Sequence, residues 1–372
     1  MKPTKPNAKN NGTESTDKEV AGDLRARLAS INKAFEKKYE GAGRFTNEKD
    51  LDIPLFSTGI FSLDYALTGG LPKGKLIEFF GPELSGKSLL AHVCVAETQK
   101  RLKAEGKDKY CVWFDVEQSY NAKWAKELGV DVDRVIVANN AVCEEIMDMI
   151  EQYSKSGGIE LIVIDSIAAM MTKAEQEDEM GAMKYAPLAG ALTRTLKKVV
   201  PGMNQSMTTV IAINQVREDL GAFVPTWKTP GGMALKHFSS TRVYVKKAPS
   251  SKLIKEGNEV TGLDIDCTVM KHRIGRNFTQ ATFRLFYNLG VDKIYDLVNF
   301  LVQAGQITQN GPMYQFKEVK FMGMAKFLEA VKTNQALVND MYSTAVNLLE
   351  DAKKGGILNV TAGSEDPANV EG

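Results

Sequence analysis

The segment Gly81-Pro82-Glu83-Leu84-Ser85-Gly86-Lys87-Ser88 constrains this chain more than any other, because it matches G-x-x-x-x-G-K-[ST] and directly follows the apolar run Leu76–Phe80. Glycines let backbone N–H groups wrap phosphates, a lysine neutralises developing charge, and a hydroxyl holds Mg²⁺. The helix that follows, entered through Leu89, aims its positive end at the same phosphates. A chance match in a chain of this length arises about once in a hundred, before the preceding strand is counted. Gly81 through Leu89 are therefore the expected nucleotide-binding residues, with ATP and Mg²⁺ as cofactors and Ser88 as a metal ligand.

The rest of the pattern agrees with a sheet that can present such a loop. Apolar strands are expected at Leu76–Phe80, Tyr110–Phe114, Val135–Ala138, Leu161–Ile164 and Thr208–Ile213, with helical stretches between them. That alternation predicts an α/β fold with a mostly parallel sheet covered on both faces. After Thr241 strands follow one another (Val243–Lys246, Ile265–Met270, Ala281–Tyr287), which reads as antiparallel hairpins extending the sheet edge. Residues 1–19 read as a disordered leader, 20–55 as an amphipathic helix (Leu24, Leu28, Ile31, Phe35) and linker, and 56–290 as the core. Residues 291–350 read as a small α-rich appendage around a Tyr314–Phe316 strand, with helices at Tyr295–Ala304, Met324–Lys332 and Gln335–Leu349; 351–372 read as a loose tail.

Charge and cysteine usage limit the function classes. Lys and Arg number 47 against 46 acids, so any nucleic-acid site must be local. The four scattered cysteines suit reduced, buried thiols, and the three histidines suggest no metal cluster. Without an apolar leader or a run of about 18 apolar residues, a cytoplasmic protein away from membranes is expected.

Two acids complete the expected nucleotide site. Asp165 ends the apolar run Leu161–Ile164, where it can serve Mg²⁺; an isolated Asp after a strand more often caps a turn or helix. Glu117, just past Tyr110–Phe114, can polarise water at the same sheet edge, the competing reading being a solvated loop acid.

From Phe56 to Tyr287 the chain resembles the RecA family. The resemblance rests on Ser57-Thr58-Gly59 with Ser62-Leu63-Asp64, Gly70-Leu71-Pro72-Lys73-Gly74, the phosphate loop, and Lys173-Ala174-Glu175. It continues through Ile213-Asn214-Gln215-Val216-Arg217, Gly231-Gly232-Met233-Ala234-Leu235-Lys236 and Lys271-His272-Arg273-Ile274. It implies Glu117 as the catalytic glutamate, Trp124 stacked on adenine, Asn121 at the base and Tyr287 near the nucleotide. It further implies Gln215 as the γ-phosphate sensor and Lys271 with Arg273 as charges reaching a neighbour's ATP. For Trp124, Tyr287 and the basic pair, core packing and a solvated strand remain the bland alternatives.

The resemblance also implies two DNA loops, one near Glu177–Tyr185 with Lys184 and one at Arg217–Pro230. In the second, Arg217, Leu220, Phe223 and Trp227 are the candidates for contact with bases, and Gly231, Gly232 and Met233 for holding a phosphate. Arg194, Lys197 and Lys198 stand opposite the buried stripe of the expected helix from Pro187 to Val199, although a solvated face explains such charges too. Two departures concern DNA grip and the subunit interface: Gly190 stands where many members have arginine, and His237 replaces a phenylalanine.

The implied function is an ATP-dependent recombinase, a DNA-dependent ATPase that filaments head to tail on single-stranded DNA and exchanges strands with homologous duplex, aided by single-strand-binding and loading proteins. The alternatives are a RecA-fold accessory ATPase without strand exchange and, behind it, a helicase.

Overall fold

The computed structural model describes residues 13–39, 53–177, 188–218, 227–248, 253–256 and 259–354. The chain divides into two units, Met1–Ile53 and Pro54–Gly372. In the first, helix α1 spans Thr13–Glu36. It starts inside the expected leader, and Lys33 lies in its last turn. Leu24, Leu28, Ile31 and Phe35 are exposed on it at helical spacing.

The second unit opens with a small antiparallel pair, β1 (Leu55–Phe56) and β2 (Leu71–Pro72), on either side of α2 (Phe61–Ala66). Strands and helices then alternate: β3 (Leu76–Gly81), α3 (Lys87–Ala104), β4 (Tyr110–Asp115), α4 (Ala122–Glu127), β5 (Val135–Ala138), α5 (Cys143–Ser156), β6 (Ile159–Asp165), α6 (Lys173–Glu177), α7 (Leu188–Ser206) and β7 (Thr209–Gln215). A two-stranded ribbon follows, β8 (Arg217–Glu218) with β9 (Trp227–Lys228), then α8 (Met233–Phe238) and the sequential strands β10 (Thr241–Lys247), β11 (Ile254–Glu256), β12 (Glu259–His272), β13 (Gln280–Phe286) and β14 (Gly290–Val291).

These strands form one ten-stranded sheet ordered β14-β13-β12-β10-β3-β7-β6-β4-β5, with β11 on β12. From β10 to β5 every pairing is parallel, and beyond β10 every pairing is antiparallel, as the sequence pattern predicted. The period-2 alternation divides the side chains between two cores. Ile77, Phe79, Cys111, Trp113, Leu161 and Val163 pack with α3 on one face. Leu76, Val112, Phe114, Ile162 and Ile164 pack with α5 and α7 on the other. All four cysteines are free and buried.

Two differences from the sequence reading have packing causes. Helix α7 does not stop near Val199 but runs through Pro201, because Met203 continues the buried stripe Leu192, Leu196 and Val199. The appendage holds three strands rather than one: β15 (Thr308–Asn310), β16 (Met313–Phe316) and β17 (Val319–Met322) pair antiparallel. β15 is exposed throughout and β17 alternates with Lys320, so neither carries an apolar run that marks a strand. With α9 (Lys293–Gln303), α10 (Met324–Thr333) and α11 (Gln335–Lys353) they enclose a third apolar core around Phe300, Phe316, Phe327 and Met341. Asp296 on α9 ties this region to the main core by accepting Phe61 N at 2.6 Å and Ser62 Oγ at 2.6 Å, which caps α2.

At the amino edge of the sheet, Glu160 accepts Arg101 at 2.5 Å and Lys73 and Lys109 at 3.0 Å each. Burial alone raises its pKa, but bonds from Arg101, Lys109 and Lys73 outweigh burial and hold the carboxyl down at about 2. A depressed carboxyl pKa contributes stability that is complete above the unfolded value, about 4.5, and is lost as pH falls toward the folded value. The Glu160→Gln variant is expected to lose about 1–3 kcal/mol of unfolding free energy at pH 7. In urea titrations its gap from the parent protein should hold constant above pH 4.5 and narrow below it.

Candidate active site

The carboxyl ends of β3, β4, β6 and β7 converge on one edge of the sheet, where the phosphate loop bridges β3 and α3. The loop leaves no room for side chains at two points. A Cβ on Gly81 would stand 1.9 Å from the Val245 carbonyl oxygen of the adjacent strand. Gly86, the residue before α3, has φ +90°, and a Cβ there would meet Ile265 Cδ1 at 2.5 Å. Lys87 folds back onto the loop, donating to Gly81 O at 3.1 Å and Ser85 Oγ at 3.3 Å. Burial lowers its amine to about 8 against the opposing pull of Asp165, Glu117 and Glu83.

Asp165 closes β6 with 5% exposure. Burial pushes its carboxyl up to about 6, while a hydrogen bond from Ser88 pulls the other way. Glu117 is held in a rigid turn. Its N–H and that of Val116 donate to Asp165 O at 3.2 and 2.9 Å, and Asp115 accepts from Ser119 N and Tyr120 N at 2.9 Å each. Glu117 Oε1 then receives the Ser166 hydroxyl and, at 3.3 Å, Gln215 Nε2. Ser166 was not among the residues singled out from sequence. Its only sequence signal is its place directly after Asp165.

A cleft of about 600 Å³ joins these groups to Trp124 and Tyr287. Trp124 Nε1 donates to Tyr287 O, and its ring packs 5.0 Å from buried His92. Asn121 does not line this cleft; its side chain caps α4 by accepting Trp124 N at 3.0 Å. Lys247 and Leu263 do line it, and sequence reasoning missed both, because their cleft position follows from β10 and β12 crossing beside the loop.

Lys271 and Arg273 lie at the other edge. β10 runs parallel to β3 from Thr241, opposite Ile77, and Thr241 in turn pairs with His272. Both cations therefore sit beside the start of β3, away from the loop at its end. There they meet the last turn of α8: Lys271 Nζ donates to Lys236 O at 2.5 Å and Arg273 Nη2 to His237 O at 2.6 Å. Among the DNA-loop candidates, Arg194 and Lys197 are exposed on α7, whereas Lys198 pairs with Glu151 at 2.7 Å. Gly231 and Gly232, with φ +85° and +62°, lead into Met233, which is exposed at the start of α8. Arg217 and Trp227 stand on the β8–β9 ribbon, a pairing the sequence reading of this segment as an aperiodic loop did not foresee. Lys184, Leu220 and Phe223 fall outside the described residues.

The residues fit a nucleotide with Mg²⁺. The glycine cradle is tight, Lys87 is held at its rim, and Ser88 with Asp165 offers the hard oxygen donors that Mg²⁺ takes alongside phosphates and water. Fold and site together define a P-loop ATPase built on a parallel sheet with an antiparallel extension. The RecA N-terminal domain family matches residues 23–292. Protein RecA of Thermus aquaticus is 34% identical over 348 residues, covering 92% of this chain and 98% of its own. Protein RecA of Mycoplasma mobile is 32% identical, covering 89% and 98%. Among solved structures, the RadB recombinase covers 64% of this chain and 98% of its own at 22% identity and TM-score 0.47. The chain belongs to the RecA family of ATP-dependent recombinases, which serve recombination and DNA repair.

The shared oxygen of Glu117 sets unequal costs for its partners. Glu117→Gln is expected to lower ATP turnover by about 10²–10³-fold. Ser166→Ala, which removes one hydrogen bond to the same carboxylate, should cost about tenfold in turnover with nucleotide affinity within about twofold of the parent. Steady-state hydrolysis and equilibrium nucleotide titration separate the two effects.

Proposed function

We propose that this chain hydrolyses ATP in a filament on single-stranded DNA and couples the cycle to pairing and strand exchange with homologous duplex. The observation that carries this reading is the hydrogen bond from Gln215 to Glu117, because Gln215 ends β7 immediately before the ribbon that begins at Arg217. A water-activating carboxylate and the root of a DNA-contacting segment thus share one side chain.

In this reading Ser88 and Asp165 hold Mg²⁺, the loop Gly81 to Leu89, with its backbone N–H groups other than at Pro82, and the Lys87 amine bind the phosphates, and Trp124 with Tyr287 flanks the base that Asn121 contacts. Mg²⁺·ATP supplies the labile phosphoryl group and neutralises its charge. Glu117 accepts the proton of the attacking water, oriented by Ser166 and Gln215. The described candidates Arg194, Lys197, Arg217, Trp227 and Gly231 to Met233 contact the strand, as do Lys184, Leu220 and Phe223. Residues 20–55 polymerise the chain, 56–290 carry ATPase and DNA work, 291–350 form the appendage, and the protein acts in the cytoplasm with single-strand-binding and loading partners. Among the described residues no helix is long and apolar enough to cross a membrane.

Lys271 and Arg273 act on the neighbouring protomer's ATP, since their own lies across the sheet. Head-to-tail contact of this kind repeats without closing and builds a filament. Mixing supplies the test. Glu117→Gln protein and Lys271→Ala/Arg273→Ala protein should each be inactive, whereas an equal mixture on single-stranded DNA recovers about a quarter of the parent rate through correctly paired interfaces. A mixture no more active than its components rules out catalysis in trans, and hydrolysis indifferent to DNA leaves an accessory ATPase.

A further inference from the structure

Three side chains outside the cleft form a buried polar line across adjacent strands. Arg242 on β10 pairs in register with Glu78 on β3, and Asn214 lies two residues beyond Ala212, the β7 partner of Glu78, so all three point to one sheet face. Glu78 and Asn214 are fully buried and Arg242 is 2% exposed. Arg242 Nε donates to Glu78 Oε2 at 2.6 Å, its guanidinium lies 4.3 Å from the Phe80 ring centre, and Asn214 Nδ2 donates to Glu78 Oε1 at 3.0 Å. The same Asn214 nitrogen donates to Pro230 O at 3.0 Å, and the Asn214 oxygen accepts Gln215 N at 3.0 Å.

One amide therefore binds both feet of the segment that contains the β8–β9 ribbon, at Gln215 where the chain leaves the sheet and at Pro230 where it returns. A carboxylate only accepts hydrogen bonds, so Glu78 dictates that the nitrogen of Asn214 faces it and that the oxygen faces Gln215 N. Arg242 fixes Glu78 in turn. A hydrophobic trio fills such a site without the desolvation cost of a buried ion pair, yet gives the ribbon no fixed orientation.

We propose that Asn214, oriented by the Glu78–Arg242 pair, is a positioning residue that sets Gln215 and the ribbon together, so that occupancy of the ribbon by DNA is read at Glu117. The inference rests on the function proposed above. It assigns the coupling to the bond between Asn214 and Pro230 O rather than to the ion pair.

The double variant Glu78→Gln/Asn214→Asp separates the two. It keeps the net charge of the trio. Gln at 78 accepts from Arg242 and donates to Asp at 214, and that Asp still accepts Gln215 N. The donor to Pro230 O is gone, and a carboxylate oxygen that repels this carbonyl stands in its place. Asn214→Asp alone sets two carboxylates face to face and is expected to lower Tm, which the double variant restores to within about 3 °C of the parent.

DNA-free turnover of the double variant should match the parent, while the ratio of turnover with single-stranded DNA to turnover without it falls about tenfold, a typical shift for one buried hydrogen bond made in only one of two states. An undiminished ratio overturns the inference. A parent protein that DNA does not stimulate overturns the functional reading itself, and the inference with it. Should the double variant stay unstable, Asn214→Ala, which leaves the Glu78–Arg242 pair in place, is read by the same ratio. Loss of folded protein scales both rates alike, so a preserved ratio there also overturns the assignment.

Discussion

Parallel alignment of β3, β4, β6 and β7 is the constraint from which the site follows, because it brings four strand ends to one edge and leaves a polar group free to act at each. β3 ends in the phosphate loop, β4 in the turn that carries Glu117, β6 in Asp165 and Ser166, and β7 in Gln215. None of these groups lies near the others in sequence. Their spacing is set by strand register: Gly81 stands opposite Gln215, and Asp115 opposite Asp165. Burial of both sheet faces then keeps that register from slipping, since a one-residue shift moves every side chain from the core it fits to the opposite one.

The same geometry explains what the sequence could show. Candidates placed at the ends of apolar strands, such as Lys87, Asp165 and Glu117, are legible because the run before each one marks a strand and its direction. The parallel core was equally legible from its alternation with helices. Ser166 and Lys247 were not, because their roles depend on which strand end faces which, a matter of sheet order rather than of pattern. Likewise β15 and β17 lack buried apolar runs, and the ribbon of β8 and β9 is too short for periodicity to register. Asn121, assigned to the base by resemblance, also has a structural task that periodicity does not mark: its side-chain oxygen caps α4.

Buried charge is distributed with the same logic. At the amino edge Glu160 is surrounded by three cations and holds its proton weakly, whereas at the carboxyl edge Asp165 has burial as its dominant influence and a raised pKa. The first arrangement is stable as it stands. The second leaves a carboxylate whose charge is poorly compensated, the condition in which a divalent cation gains most by binding.

The two edges are not independent. Helix α8 starts at Met233, three residues after the Pro230 carbonyl that Asn214 holds, and its last turn gives up the carbonyls of Lys236 and His237 to Lys271 and Arg273. In the functional reading a displacement of the ribbon foot is passed through Gly231 and Gly232 to this helix. It reaches the two cations that the functional reading places against a neighbouring protomer. In that reading the route from DNA to ATP has two branches, one through Gln215 to the chain's own Glu117 and one through α8 to the next subunit. Because both begin at the Asn214 amide, that reading makes local hydrolysis and signalling along the filament respond to the same motion of the ribbon.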